Sequence, residues 1–293
     1  MAFTLQVRQK EKGFANPLDI PTLANACGFV YGSNDEFYIL REGEQQNGTA
    51  ILFHPDRIGR GIFLDCGKAE EGCYEVSYNI PTTRAEIADF ARLVQEMERR
   101  LGSVEMYCVE EERYFTGKEL EEGIEKFTAF SLKSLRDFAA NKTYKSYILT
   151  LARWPYFIPS DKVLFWEACD NLSDFEETLH NLQARDVYYA RPQLFQKKDT
   201  KEIGAFYALT EECASVFPVH AEGFLNLDGM KVHEGFIQFF LYQEQRAIEG
   251  LYLYESFMEE MLQRGVERFD SEHVLIPPMK KKELERLAKK LRP

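Results

Sequence analysis

No uninterrupted apolar run in this sequence approaches the roughly 18 residues of a membrane-spanning helix, and the opening Met1-Ala2-Phe3-Thr4-Leu5-Gln6-Val7-Arg8 lacks the apolar core of a signal peptide. A cytoplasmic protein without a membrane span is expected. Cysteine is sparse: Cys27, Cys66, Cys73, Cys108, Cys169 and Cys213 are scattered, with no C-x-x-C pair and no closely spaced Cys/His set. That pattern predicts free, mostly buried thiols rather than a disulfide framework or a zinc site. Histidine is scarcer still, at five residues, which leaves few general bases. The H-E-x-x-H, G-x-S-x-G, EF-hand, kinase and lysine-bearing phosphate-loop signatures are all missing. No metal and no cofactor is expected. Cationic residues are in deficit, 36 Lys and Arg against 48 Asp and Glu, and a net charge of -12 repels phosphate, so nucleic acid is not an expected partner.

What the chain does hold is apolar bulk. Hydrophobic residues make up 45% and aromatics 14%, with 23 Phe and 15 Tyr, which excludes disorder. The 293 residues suffice for one large domain or two smaller ones. The stretch with the most specified shape runs from Asn47 to Cys66. Ile51 to Phe53 and Ile62 to Leu64 read as short strands buried on both faces, and His54-Pro55-Asp56-Arg57-Ile58-Gly59-Arg60-Gly61 connects them. Pro55 fixes its own φ, while Gly59 and Gly61 allow positive φ or a close backbone approach. Arg57 and Arg60 have two readings. In so acidic a chain they pair structurally with Asp56, Asp65 or a neighbouring helix. The alternative is a phosphate or carboxylate site in which two guanidinium forks, glycine amides and His54 converge on an anion.

Alternation of Phe3, Leu5 and Val7 with polar residues predicts a half-buried strand, and Cys73 to Asn79 alternate likewise. Asp19, Pro21 and Gly28 bracket a short helix, Gly32 to Asp35 read as a turn, and Phe37 to Leu40 as a strand. Thr83 and Glu86 form a capping box ahead of the stripe Ile87, Phe90, Val94, Met97 and Leu101, with Gly102 as the stop. Further helices are expected from Thr116 through Phe127, over Ser131 to Ala140, and after a second capping box at Ser173 and Glu176. Strands are expected at Val104 to Val109 and Tyr144 to Leu151, and Trp154 to Pro159 reads as a buried aromatic plug.

In the C-terminal half, Val187 to Leu194 and Ile203 to Leu209 flank a polar tip and predict a hairpin. Phe217 to Met230 fit no single element. Phe236 to Tyr242 and Val274 to Ile276 read as strands and Leu253 to Leu262 as a helix. From Lys280 onward seven basic residues stand against Glu283 and Glu285, and Leu284, Leu287 and Leu291 form one apolar stripe. This basic helix is expected to dock on the chain's own acidic body, the alternative being an acidic partner or a membrane surface. Two chemical constellations are also on offer: His220, Glu222 and His233 as metal ligands, and Cys66 with His54 as a nucleophile and base.

Asn47 to Leu52 running into Pro55 to Ile62, Ile80-Pro81-Thr82-Thr83, Tyr188 to Pro192, Tyr207 to Glu211 and Phe217-Pro218 resemble a Gram-positive bacterial family, domain of unknown function 4299. The resemblance covers most of the chain and implies no activity and no catalytic residues. The expected fold is α+β, a mostly antiparallel sheet against several capped helices. Residues 1–141 and 142–278 are expected as two subdomains, with a similar β-then-α order in each, and residues 279–293 as a basic helix. The expected function is a non-enzymatic binding or regulatory protein with an unidentified protein partner. Its alternative is a small-anion binder or enzyme that uses Arg57, Arg60 and His54.

Overall fold

A computed structural model describes residues 1–10, 17–222 and 232–292. The fold is α+β, and the chain divides into two compact units, Met1–Arg185 and Asp186–Pro293. In the first unit β1 (Ala2–Gln9), helix α1 (Ile20–Cys27), β2 (Val30–Asn34), β3 (Leu40–Glu42), β4 (Thr49–Phe53), β5 (Ile62–Lys68) and β6 (Cys73–Asn79) precede helix α2 (Arg84–Leu101). Next come β7 (Val104–Cys108), β8 (Arg113–Phe115), α3 (Gly117–Glu122), α4 (Ile124–Ala140), β9 (Ile148–Thr150), β10 (Pro155–Phe157), α5 (Ser160–Ala168) and α6 (Ser173–Gln183). Eight strands form one antiparallel sheet in the order β3-β2-β4-β5-β6-β1-β7-β8.

Alternation decides which side of that sheet is buried. Leu5, Leu52, Leu64 and Val76 point to one face, where Leu23 of α1 and Phe90, Val94 and Met97 of α2 complete the core. All five residues of the α2 stripe are buried, and Gly102 ends the helix at φ 74°. The expectation that both central strands are buried on two faces holds for β4, where adjacent Leu52 and Phe53 are both buried, but not for β5, where Phe63 is 37% exposed on the face opposite Ile62 and Leu64. The segment from Val30 to Asn34 is a strand, and the turn comes after it: the Asp35 carboxylate accepts the N–H groups of Phe37 and Ile39. The expected turn and strand are therefore offset by several residues.

No break in the core falls at Asn141. Leu135 and Ala139 of α4 share a cluster with Leu149, Tyr156, Trp166, Phe175 and Leu179, so the segment after Asn141 completes the first unit and the division comes at Arg185.

The second unit contains β11 (Tyr188–Tyr189), β12 (Gln193–Gln196), β13 (Ile203–Thr210), β14 (Ser215–Pro218), β15 (Val232–Leu241), β16 (Arg246–Ala247) and β17 (Tyr252–Leu253). It continues through α7 (Tyr254–Gln263), β18 (Glu267–Arg268), β19 (His273–Ile276) and α8 (Lys281–Lys290). One sheet runs β12-β13-β15-β16 with β17 also on β15, and a second runs β11-β14-β19-β18. Parallel pairing occurs at β13–β15 and β11–β14. The two units thus differ in strand order and direction, and the expected likeness of two halves is not there. Part of the Phe217–Met230 stretch lies outside the described residues; Phe217 and Pro218 belong to β14. In α8, Leu284, Leu287 and Ala288 are buried in the unit's own core, while Lys281 pairs with Glu244 and Lys290 with Glu260. The basic helix is thus docked internally.

Candidate functional site

The 54–61 connection is hydrogen-bonded to side chains of α2 and α6 and to backbone oxygens of Pro81 and of Thr150 in β9. Arg57 grips Asp89 of α2 through two bonds, Nε to Oδ2 at 2.9 Å and Nη2 to Oδ1 at 2.7 Å, and Arg92 reaches the same carboxylate at 3.0 Å. This fork-to-fork contact raises the Arg57 guanidinium above its ordinary range. Arg60 turns inward and is buried, donating to the backbone oxygens of Thr150 at 3.1 Å and Pro81 at 3.0 Å. Burial pulls its guanidinium down to about 10, with the Glu86 carboxylate opposing the shift through space. His54 accepts the Asp56 N–H on Nδ1 at 3.2 Å and sets its ring edge-on to Phe29. The three candidate ligand residues therefore point apart: one to α2, one into the interior, one to its own turn.

Glu86 is the centre of the arrangement. The capping-box reading is half right: Thr83 Oγ1 does accept the Glu86 N–H at 3.0 Å, but the Glu86 side chain does not return to its own helix start. Glu86 is 3% exposed, and its carboxylate accepts the Gly61 N–H at 2.6 Å and takes the Thr82 hydroxyl hydrogen bond. Desolvation is the largest influence on this carboxyl and raises it, while those two bonds and the Arg60 charge pull the other way. Gly59 and Gly61 are required here. A Cβ on Gly59 would strike the Glu86 carboxylate, and one on Gly61, at φ 90°, would strike Ile51.

Helix α6 supplies the remaining fasteners. Gln183, fully buried, donates to the Gly59 carbonyl at 2.8 Å and accepts the Arg153 N–H at 2.9 Å, and His180 Nδ1 accepts the Ile58 N–H at 3.2 Å. The second expected capping box is diverted as well, because Glu176 accepts the backbone N–H of Arg84 at 2.5 Å and Ser173 caps nothing. Thr82 and Ser131 close the network, Thr82 N–H donating to Ser131 Oγ at 2.7 Å and Ser131 Oγ–H to the Thr82 carbonyl at 2.5 Å. The roles of Asp89, Gln183 and Glu86 at the loop have no local sequence signal, since the loop partners Arg57, Gly59 and Gly61 lie at least 25 residues from them.

The other constellations do not assemble. Cys66 donates its N–H to Gly48 beyond the far end of β4, six residues or about 20 Å of extended chain from His54. Burial also pushes the Cys66 thiol up to about 12, away from thiolate chemistry. Among the described residues no three of His, Cys, Asp and Glu stand where they could hold a metal ion, so His220, Glu222 and His233 are not gathered.

The face of the eight-stranded sheet opposite α2 is a different kind of surface. Register places Tyr114, Tyr107, Gln6, Glu75 and Asp65 in one row across β8, β7, β1, β6 and β5. Beside it runs Glu105, Arg8 and Cys73. Tyr107 and Tyr114 meet edge to face at 5.3 Å, and Tyr114 is 62% exposed. A shallow open hollow of about 450 Å³ lies over these rows, with Lys68 and Glu71 also on its wall. Four carboxylates, Asp65, Glu71, Glu75 and Glu105, face two cations, Arg8 and Lys68.

Among the described residues no helix is long and apolar enough to cross a membrane. Comparison with curated proteins and with solved structures finds no match. The family model described as Domain of unknown function (DUF4299) matches residues 2–287, nearly the whole chain, and the chain belongs to that family.

Proposed function

We propose that the protein is a non-enzymatic binding protein whose first unit presents the uncovered sheet face to a basic segment of a protein partner. The observation that carries this reading is the row from Tyr114 to Asp65, in which an aromatic pair of exposed Tyr114 and half-buried Tyr107 adjoins carboxylates that outnumber the cations lining the same hollow. Tyrosine faces attract Lys and Arg side chains, carboxylates pair with them, and an antiparallel sheet with one side solvated offers a flat platform to receive them. The use of Arg57, Arg60 and His54 in internal bonds supports the same reading, since an anion would have to displace Asp89 or enter a packed interior.

The test is fluorescence anisotropy with a panel of labelled Lys- and Arg-containing peptides, run on the full chain and on a Tyr107→Ala/Tyr114→Ala double variant. Saturable binding that weakens at least tenfold in the double variant supports the proposal. Absence of binding to every basic peptide, or binding indifferent to the double variant, rejects it.

A further inference from the structure

Strands β13 and β15 run parallel, with Thr210 level with Phe240, so both of their carboxyl ends open on one margin of the sheet. The chain leaves β13 through Glu211, Glu212 and Cys213 and leaves β15 through Tyr242 and Gln243. In sheets with parallel strands, ligands collect outside the carboxyl ends. An open hollow of about 560 Å³ lies here, walled by these residues together with Tyr188 of β11. Its volume is that of a small-molecule site.

Glu211 sets the chemistry of this hollow. It is 7% exposed, its N–H donates to the Phe240 carbonyl at 3.1 Å, and its Oε1 accepts the Gln243 N–H at 3.0 Å. Those two bonds fix the carboxylate at the junction of the strand ends. A carboxylate withdrawn from water is costly to keep ionised unless donors or a cation meet it. The other buried carboxylates are met on both oxygens: Asp89 by Arg57, Glu260 by Arg264 and Lys290, Asp270 by His273, and Glu86 by the Gly61 N–H and the Thr82 hydroxyl. Among the described residues Glu211 alone of these acids has an oxygen, Oε2, that takes no hydrogen bond, and no Lys, Arg or His pairs with it or with its exposed neighbour Glu212.

The walls suit an organic cation. Tyr188 is 45% and Tyr242 65% exposed, and among the described residues neither contacts another aromatic ring. Tyrosine faces attract cations and also bury alkyl groups. The described residues gather no three acidic, His or Cys side chains for a metal ion. We propose that this hollow binds a small primary aliphatic amine, its ammonium group donating to Glu211 Oε2 and its alkyl chain lying against Tyr188 and Tyr242. The site belongs to the second unit and does not rest on the sheet face of the first. An acceptor oxygen calls for a cation that carries N–H, so a primary amine is preferred over a quaternary one. One charge-assisted hydrogen bond and a tyrosine contact give a probe as small as butylammonium a dissociation constant in the millimolar range.

The test follows amide NMR shifts of the full chain during titration with butylammonium chloride, with sodium chloride as the salt control. Glu211→Gln keeps an acceptor for the Gln243 N–H and removes the charge, and Tyr242→Ala removes an exposed wall. Circular dichroism and melting establish that each is folded, and Tyr242→Ala decides the matter should Glu211→Gln not fold. Saturable shifts at the amides of Glu211, Cys213 and Gln243 are expected, with affinity at least tenfold lower in Glu211→Gln and at least threefold lower in Tyr242→Ala. Butanol, the neutral isostere, and tetramethylammonium, which lacks N–H, should each bind at least threefold more weakly than butylammonium. Four results overturn the proposal: no saturable shift at those amides, binding indifferent to the folded variants, butanol or tetramethylammonium binding as well as butylammonium, or tighter binding of N-acetyl-lysine methylamide, which would assign the site to a protein's lysine instead.

Discussion

Removing the Glu86 side chain should unfasten the 54–61 connection, and its cost can be worked from the contacts. Glu86→Ala leaves the Gly61 N–H and the Thr82 hydroxyl without their buried acceptor and leaves Arg60 without the nearest opposing charge. Stranding buried polar partners costs about 1–3 kcal/mol each, and breaking a buried charge arrangement about 3–5 kcal/mol, so a loss of about 3–5 kcal/mol is expected. Glu86→Gln keeps an acceptor for Gly61 and avoids burying a charge, so its cost should be about 2 kcal/mol or less. Both tryptophans, Trp154 and Trp166, are buried in the first unit, so tryptophan fluorescence during urea unfolding reports on that unit alone. At about 2 kcal/mol per molar urea, Glu86→Ala should lower the midpoint by about 1.5–2.5 M. A midpoint within about 0.25 M of the parent for Glu86→Ala, or equal losses for Ala and Gln, would refute this reasoning.

The same carboxyl sets a pH dependence. Its folded pKa is raised above the ordinary value of 4.5, so the folded chain holds that proton more tightly, and the stability it contributes is present below pH 4.5 and lost as pH rises through the raised value. The stability of the parent relative to Glu86→Gln should therefore fall as pH is raised from about 4.5; urea midpoints of the two that stay in fixed ratio over that range would exclude it. Glu96 works in the opposite sense: hydrogen bonds from Arg99 and Arg100 hold it at about 2, so the advantage of the parent over Glu96→Gln should be present above pH 4.5 and shrink as pH falls toward 2. Acid unfolding curves that superimpose for the two proteins would contradict this. Inorganic phosphate should raise the melting temperature of Arg57→Gln as much as that of the parent, because Arg57 is committed to Asp89; protection confined to the parent would establish the anion site instead. Truncation before Lys281 should uncover the seat of Leu284 and Leu287, each worth about 1.5–3 kcal/mol, and lower the melting temperature and solubility of the second unit, a view that unchanged melting would dismiss.

Elements whose signal is local were legible. The α2 stripe repeats at helical period and Gly102 stops it, and β1 and β6 alternate, so one face or one stripe of each had to be buried. The hairpin of β12 and β13 was readable from its polar tip, but its first arm is Gln193–Gln196 and not Val187 to Leu194, of which Tyr188 and Tyr189 pair with β14 in the other sheet. The features that escaped depend on distant partners. A Thr-x-x-Glu spacing is satisfied equally by a local cap and by a carboxylate that reaches another segment; Glu86 took the second option, as did Glu176 after Ser173. The parallel pairing of β13 with β15 joins strands separated by β14 and has no signature of its own. Asn141 does end a helix, but Leu135 and Ala139 on that helix are packed by residues 149–179, so a helix stop was mistaken for a boundary. Pairing of Arg57 with a neighbouring helix could be inferred from the acidic composition, though not that Asp89 is the partner, whereas Arg60 bonds to the backbone oxygens of Pro81 and Thr150 rather than to a carboxylate, which composition does not signal.

Amide hydrogen exchange at Gly61 and Ile58 tests the fastening of this loop most directly, because their N–H groups end on the side chains of Glu86 and His180. Exchange as slow as in β4 and β5 is predicted for the parent, with at least a hundredfold acceleration at Gly61 in Glu86→Ala and little change in β1. Rapid exchange at both amides in the parent, or no response to the substitution, would contradict it.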